Sequence, residues 1–338
     1  MTVIVLSTAG TGNWTVPADW NNSDNYIHCI GGGGGSSGAG NGGRSGGGGG
    51  GAYAGTPNVT LTPGAVMFIG VGDGGTAGND SGSNAGDGGV TWFGGTSEAT
   101  ALIKADGGDG SKSAGTPTPA GGLASNSVGS VRRDGGAGTK GNVVTNAGGG
   151  GGGAGGPNGA GNAASGSTGG AGDAGYGGSS GAPGTEISGV GSGGGGGGVS
   201  PTYEAGIYGG GARGVRSSTG STLAGRQGAR GAIIIVYTPL VAPTITSVSP
   251  SSGLLLGGDP VTITGTGFVN VSSVKFGGSN ASNVVVVNDT TITCDTPAHT
   301  AGTVDVTVTN AAGTGTKTNG FTFNDTPVPA VAPFILGV

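Results

Sequence analysis

The chain has 338 residues, 89 of them glycine, and a formal net charge of −5. Charged residues make up 9% and aromatics 5%, too little charge for ordinary intrinsic disorder, which is usually rich in charge and poor in apolar residues. The 12 basic residues are spread thinly and leave no electrostatic footprint for nucleic acid; no run reaches the roughly 18 apolar residues of a membrane-spanning helix, so neither nucleic-acid binding nor membrane insertion is expected.

Met1 to Gly10 carries no basic stretch, and Val3-Ile4-Val5-Leu6 is too short for the apolar region of a secretory signal. Synthesis and folding in a reducing cytoplasm are expected. Cys29 and Cys294 fit that compartment, because each sits among apolar strand residues and reads as a small buried hydrophobe. No sustained helical periodicity occurs, whereas short runs rich in Val, Ile, Tyr and Phe recur between glycine tracts. Strands are predicted over Thr2–Ser7, Tyr26–Ile30, Asn58–Thr62, Ala65–Val71, Val90–Phe93, Ala101–Ala105 and Ala232–Tyr237. Val131-Arg132-Arg133 reads as a solvated turn. Asp73, Asp87 and Asp109, each flanked by glycine, read as turn-forming Asp-Gly elements.

Between Ala105 and Gly231 there is almost no strand-like run. The simplest topology has the first and last strands adjacent, with the glycine-rich middle as one large excursion. Glycine tracts occur at Gly31–Gly35, Gly46–Gly51, Gly148–Gly153 and Gly193–Gly198. Their spacing is irregular, which excludes collagen. Polyglycine adopts the same extended helix, with three residues per turn and a rise of about 3.1 Å per residue. Such helices have no internal hydrogen bonds, but side by side they exchange N–H···O=C bonds with their neighbours. Each glycine costs roughly 0.5–1 kcal/mol relative to alanine, so a region that keeps dozens of them is expected to gain from packing that no other residue permits.

Composition changes after Thr238. Pro239 to Ala242 form a short, stiff linker. Strands are predicted over Thr244–Val248, Pro260–Thr264, Ser273–Phe276, Val284–Val287, Thr291–Cys294, Thr303–Thr309 and Phe321–Phe323, the pattern of a β-sandwich. Residues 325–338 are a proline-spaced tail with an apolar end. The expected fold class is all-β: an N-terminal β scaffold (1–238) with a polyglycine II-like excursion, then an immunoglobulin-like sandwich (243–324).

Residues 243–324 resemble the IPT/TIG domain. The resemblance is carried by Pro243-Thr244-Ile245, Val248-Ser249-Pro250, Val261-Thr262-Ile263-Thr264-Gly265, Phe268, Val274-Lys275-Phe276-Gly277-Gly278, Cys294-Asp295-Thr296-Pro297 and Val304 to Asn310. It implies an immunoglobulin-like fold and little about function. Residues 1–238 resemble the glycine-rich domain of tail-fibre and adhesin-type proteins of tailed bacteriophages. The carrying residues are Asn13-Trp14-Thr15-Val16-Pro17, Gly31–Gly35, Gly46–Gly51 with Ala52-Tyr53, Ile69-Gly70-Val71-Gly72-Asp73-Gly74-Gly75, Gly88 to Gly95 and Gly228 to Tyr237. Such proteins often end with this domain, whereas here a sandwich and a tail follow it.

Chemistry-bearing constellations are sparse. His28 and His299 stand apart from any cluster at metal-ligand spacing. Gly-x-Gly-x-x-Gly patterns recur by composition, without a Gly-Lys-Ser/Thr or a following helix. Glu98, Glu186 and Glu204 are isolated. No catalysis and no cofactor are expected. Tyr176, Tyr203 and Tyr208, with Arg213 and Arg216 nearby, have two readings: contacts for a receptor or glycan at a tip, or rings and heads that cap the glycine packing. Phe334, Ile335 and Leu336 form an apolar end suited to docking on another subunit or on the chain's own sandwich. Taken together, the expectation is a non-enzymatic bacteriophage virion protein. It would be a fibre, spike or tail-associated adhesin at the virion surface, partnered by other virion proteins, arrayed in multiple copies and able to meet a host glycan or outer-membrane receptor. A capsid decoration protein and a bacterial surface adhesin or matrix protein stand as alternatives.

Overall fold

The computed structural model describes residues 1–79, 83–112, 118–141, 147–172, 187, 208–217 and 221–325. These divide into two compact units, one of Met1–Val16 with Asn21–Thr238 and one of Pro17–Trp20 with Pro239 onward. The Gly193–Gly198 tract lies outside the described residues.

The strands of the first unit are β1 (Thr2–Leu6), β2 (Gly10–Thr15), β3 (Asn25–Ile30), β4 (Tyr53–Pro57), β5 (Val66–Val71), β6 (Thr91–Phe93), β7 (Ile103–Ala105), β8 (Val131–Arg133) and β9 (Ala232–Tyr237). One sheet has the order β1-β9-β3-β4-β8 and the other β2-β5-β6-β7. The last strand, β9, lies between β1 and β3, pairing Thr2 with Tyr237 and Ile30 with Ala232. The chain therefore leaves this sheet and returns to an interior position in it. β3 and β9 read Asn-Tyr-Ile-His-Cys-Ile and Ala-Ile-Ile-Ile-Val-Tyr and are buried almost throughout. A strand covered on both faces has to be continuously apolar. β6 and β7 pack against β3 and β4, and Trp14 meets Phe93 edge-on at 5.7 Å between ring centroids.

The glycine tracts grow out of these strands. Residues 31–38 continue β3, residues 47–52 lead into β4, residues 72–78 continue β5, residues 85–89 lead into β6, residues 106–111 continue β7, and residues 225–231 lead into β9. Their hydrogen bonds turn through three directions in succession. Gly31 and Gly34 donate to the carbonyls of Ala52 and Gly49; Gly32 and Gly35 donate to Gly89 and Gly86; Gly33 and Ser36 donate to Ala229 and Arg226, all at 2.8–3.0 Å. The carbonyls of the same tract accept from Gly75 and Gly78, from Gly108 and Ser111, and from Ala212. Every third residue thus addresses the same neighbour, the signature of an extended helix with three residues per turn. This tract has six neighbouring tracts. The next, 47–52, is also ringed by six, donating to residues 136/139, 209/212 and 106/109 and accepting from residues 34, 122 and 152/155.

The lattice spacing leaves no room for side chains between tracts. A Cβ built on Gly34 would fall on the carbonyl of Asp109, and one on Gly49 on the carbonyl of Ala120, both closer than 3.0 Å. Such contacts do not occur in real structures.

Several sequence expectations are corrected by this arrangement. Asp73, Asp87 and Asp109 lie in straight lattice tracts rather than turns, with their side chains exposed. Flanking glycines face other tracts while the aspartate takes the solvent side. Val131–Arg133 is a short edge strand paired with β4, not a turn. The strand expected over Asn58–Thr62 is displaced to Tyr53–Pro57. Asn58 takes a φ of 51°, and the Asn25 side chain binds the Val59 backbone at N–H (2.8 Å) and carbonyl (3.2 Å), replacing strand partners.

In the second unit, β10 (Thr244–Ser249), β12 (Pro260–Thr266), β15 (Ser282–Asn288) and β16 (Thr291–Asp295) form a sheet ordered β10-β12-β16-β15. β11 (Ser252–Leu254), β13 (Ser273–Phe276), β14 (Ser279–Asn280), β17 (Gly302–Asn310) and β18 (Gly313–Asn324) form the other, ordered β11-β18-β17-β13-β14. Their shared core includes Ile263, Phe276, Ile292, Val306, Phe321 and Phe323, each at most 1% exposed. β18 is much longer than the expected Phe321–Phe323. Its first half, Gly-Thr-Gly-Thr-Lys-Thr-Asn, is too polar to read as a strand, but it pairs with β17 through a tight turn in which the Asn310 side-chain oxygen accepts from Ala312 and Gly313.

Two outcomes are expected. Gly49→Ala forces a methyl into a backbone carbonyl and should destabilise the first unit by about 3 kcal/mol or more, while Gly40→Ala, with nothing within 4 Å of its new methyl, should be neutral or stabilise by roughly 0.4–1 kcal/mol. Thermal unfolding of the two variants checks the contrast, and equal effects would contradict the lattice. The second concerns His28, whose Nδ1 lies 2.8 Å from the Tyr53 hydroxyl and whose ring stacks on Tyr26. Burial pushes its pKa down from 6.5 to about 3. The unfolded chain takes up this proton below pH 6.5 and the folded chain does not, so stability falls as pH drops through that window, by up to about 1.4 kcal/mol per pH unit. His28→Gln should flatten this part of the pH dependence between pH 6.5 and about 3, as read from thermal midpoints of the two proteins.

Candidate binding end of the glycine lattice

The tracts run away from the sheets and return, so connections collect at the far end. Among the described residues these are residues 39–44, which link the first two tracts, and the flanks of two more connections, residues 79 and 83–84 and residues 216–217 and 221–224. Cross-links show that these connections lie together: Ala39 pairs with Leu223 and Arg44 with Arg216 as isolated bridges. Gly43 N–H donates to the Ser217 hydroxyl at 3.2 Å, and that hydroxyl donates to the Gly40 carbonyl. Asn79 and Ser83 close their connection reciprocally, backbone to side chain, at 2.8 and 3.3 Å.

Serines satisfy the backbone where tracts part from one another. The Ser45 hydroxyl accepts from Val215 N–H at 2.8 Å, and the Ser36 hydroxyl accepts from Arg226 N–H at 2.7 Å. Ser37 and Ser111 hydroxyls meet at 3.0 Å. All four serines are buried. Buried polar groups need partners, and these hydroxyls supply one where a glycine would leave an orphan. The far end is therefore fixed by the lattice below it. It presents the exposed side chains of Asn41, Asn79, Asn84, Arg216 and Leu223.

The structure separates the residues that the sequence grouped. Tyr208 is half-buried at the base, packed on the cluster of Ile30, Tyr53, Ala154, Ala232 and Ile234. Arg213 is only 6% exposed, withdrawn into the lattice because residues 209–214 lie against the tracts of residues 48, 34 and 149–152. Arg216 stands exposed at the far end, beside Arg44. Tyr176, Tyr203, Phe334, Ile335 and Leu336 lie outside the described residues. Asn41, Asn79 and Asn84 were not singled out by sequence reasoning, although each breaks a glycine-rich stretch, which is the available signal for a connection between tracts.

Among the described residues no group of three or more His, Cys, Asp or Glu is placed to hold a metal ion. Both cysteines are buried and free. Burial pushes the Cys29 thiol well above its ordinary range, and burial together with Asp295 pushes Cys294 up to about 12, so each behaves as a hydrophobe rather than a nucleophile.

Comparison with known proteins matches both units. Residues 243–324 match the IPT/TIG domain. Human fibrocystin-L is 36% identical over 90 residues, covering 27% of this chain and 2% of that protein, so the chain spans a small fraction of the curated relative. The crystal structure of gamma-CGTase from Alkalophilic bacillus clarkii aligns at 25% identity with a TM-score of 0.22, over 32% of this chain and 16% of that one. Residues 7–238, more than half of the chain, match the family described as glycine-rich domain, and the protein belongs to that family, with an IPT/TIG domain following.

Proposed function

We propose that this protein is a structural component of a bacteriophage particle, a fibre, spike or tail-associated adhesin that displays its glycine lattice for attachment to a host surface. The observation that carries this reading is the far end of the lattice: several connections gathered at one pole and anchored by tracts that are each ringed by neighbours. Binding residues are characteristically placed on loops held by a rigid scaffold, and loops ordered in advance lose less entropy on binding. Exposed asparagine and arginine side chains at this pole suit polar ligands such as glycans. The resemblance of residues 1–238 to phage fibre and adhesin domains points the same way. Repetition on a symmetric particle multiplies weak individual contacts.

The test is the position of the chain and its competition for the host. Gold-labelled antibody against the protein should decorate the tail or its fibres. The purified chain should block particle adsorption, and Arg44→Glu with Arg216→Glu should weaken that block by about tenfold or more. Label on head capsomers would identify a decoration protein instead, and particles that carry no label would overturn the reading.

A further inference from the structure

Cations and carboxylates are sorted along the lattice. Among the described residues of the first unit, Asp73, Asp87, Asp106, Asp109 and Asp134 all lie within four residues of a strand. Lys140 stands seven residues beyond β8 and Arg44 nine residues before β4. Asp134 is six residues below Lys140 on the same tract, and Asp109 is level with Gly49, five residues below Arg44, whose N–H donates to its carbonyl. At a rise of about 3.1 Å per residue these gaps are roughly 15–20 Å, about twice the Debye length at physiological salt. Elsewhere in the unit lysines have carboxylate partners: Lys104 lies 3.5 Å from Glu98, and Lys112 lies 3.3 Å from Asp87. At the pole, nothing among the described residues pairs with the Arg216 head. The sequence around these cations, residues 39–46, 140–147 and 214–224, contains no aspartate or glutamate. Asp80, on the remaining connection, lies outside the described residues.

We infer that Arg44 and Arg216, with Lys140 alongside, form a site for the oxyanion groups, phosphate or carboxylate, of an acidic glycan. Half-buried Arg44 stands directly opposite exposed Arg216 across an isolated antiparallel bridge. Cβ atoms of such a pair lie about 4.5–5.5 Å apart on one face. A Cβ built on Gly141 would meet the Arg44 Cβ at 2.7 Å, so the backbone of Lys140 and Gly141 runs beside the same arginine. Cations on three neighbouring chains are thus gathered by the lattice that fixes those chains. Like charges held this close repel, and an anion seated among them turns the repulsion into attraction. Guanidinium forks bind carboxylate and phosphate oxygens bidentately. Exposed Asn41, in the same connection as Arg44, adds an amide that can donate to and accept from sugar hydroxyls. Nucleic acid fits less well: it calls for a longer basic track or for aromatic rings on which bases stack, and the described residues of these stretches include no aromatic side chain. The inference deepens the attachment reading and rests on it only for the host origin of the glycan.

Biolayer interferometry of the full chain on immobilised phosphomannan, alginate and neutral mannan supplies the test. Binding to phosphomannan, alginate or both should exceed binding to mannan by about tenfold or more and should weaken as salt rises from about 50 to 200 mM. The polymer that responds identifies phosphate or carboxylate as the group recognised. Arg44→Gln with Arg216→Gln should lower this binding by about tenfold or more. Arg216→Gln alone, a change to an exposed side chain, should lower it by a smaller factor with an unchanged thermal midpoint, so the test does not depend on the double variant folding. Arg132→Gln with Arg133→Gln, on edge strand β8, should leave binding unchanged. Equal binding to all three polymers, no binding to either acidic one, pole variants that bind like wild type, or an equal loss in the β8 variant would overturn the inference. So would duplex DNA that competes as well as the acidic glycan, which marks a general polyanion surface. Particle labelling is read separately: a particle-borne chain that ignores acidic polymers refutes this inference alone, and a chain that holds them but is absent from particles refutes only the attachment reading.

Discussion

The first unit depends on one contact repeated many times: a backbone carbonyl of one tract stands where a neighbour's Cβ would be. Removing side chains lets tracts approach on all sides and exchange hydrogen bonds in three directions, instead of the two available to a strand in a sheet. The gain is order without a conventional apolar core. Each bond contributes only about 0.5–1.5 kcal/mol net, but nearly every residue of a central tract makes one or two. Buried backbone groups left unpaired would be costly, so the lattice forms completely or poorly.

The sheets make the lattice possible. A polyglycine helix cannot choose its neighbours, because glycines are identical and register is unmarked. The strands carry that information. β3 and β4 bring Ile30 opposite Tyr53, and the next residues, Gly31 and Ala52, are already in register as lattice neighbours. The same handover occurs from β3 and β9, where Ile30 and Ala232 precede the bond from Gly33 to Ala229. Apolar strands are thus the address system and glycine tracts the extension. At the far pole serine hydroxyls take over where tracts diverge. This is how a chain with few aromatics and little charge holds a fixed set of connections at a distance from its apolar core, the arrangement on which the proposed display rests.

The sandwich uses the opposite economy. Its core is built from Ile, Val and Phe side chains alternating with polar residues, and Gly257, Gly258, Gly267, Gly277 and Gly278 take positive φ between its strands. β15 breaks that alternation with four successive exposed valines.

All-β character, the change of composition at Thr238 and the backbone-to-backbone packing of irregular, weakly charged glycine tracts were legible from the residue order alone. It also located the strands rich in Ile, Val and Tyr, because burial demands those side chains in a fixed alternation or run. Which tract neighbours which emerges in three dimensions, since glycines carry no pattern from which pairing can be read. For the same reason β2 (Gly-Thr-Gly-Asn-Trp-Thr), β4 (Tyr-Ala-Gly-Thr-Pro) and the first half of β18, which lack runs of Val and Ile, were not legible as strands. Asp73, Asp87 and Asp109 looked like turns because local chemistry favours that reading, and a surrounding lattice overrode it. Tyr208, Arg213 and Arg216 are close in sequence, yet a tract with a rise of about 3.1 Å per residue carries them from apolar base to buried middle to exposed pole, a separation that depends on where the tract begins and which neighbours enclose it.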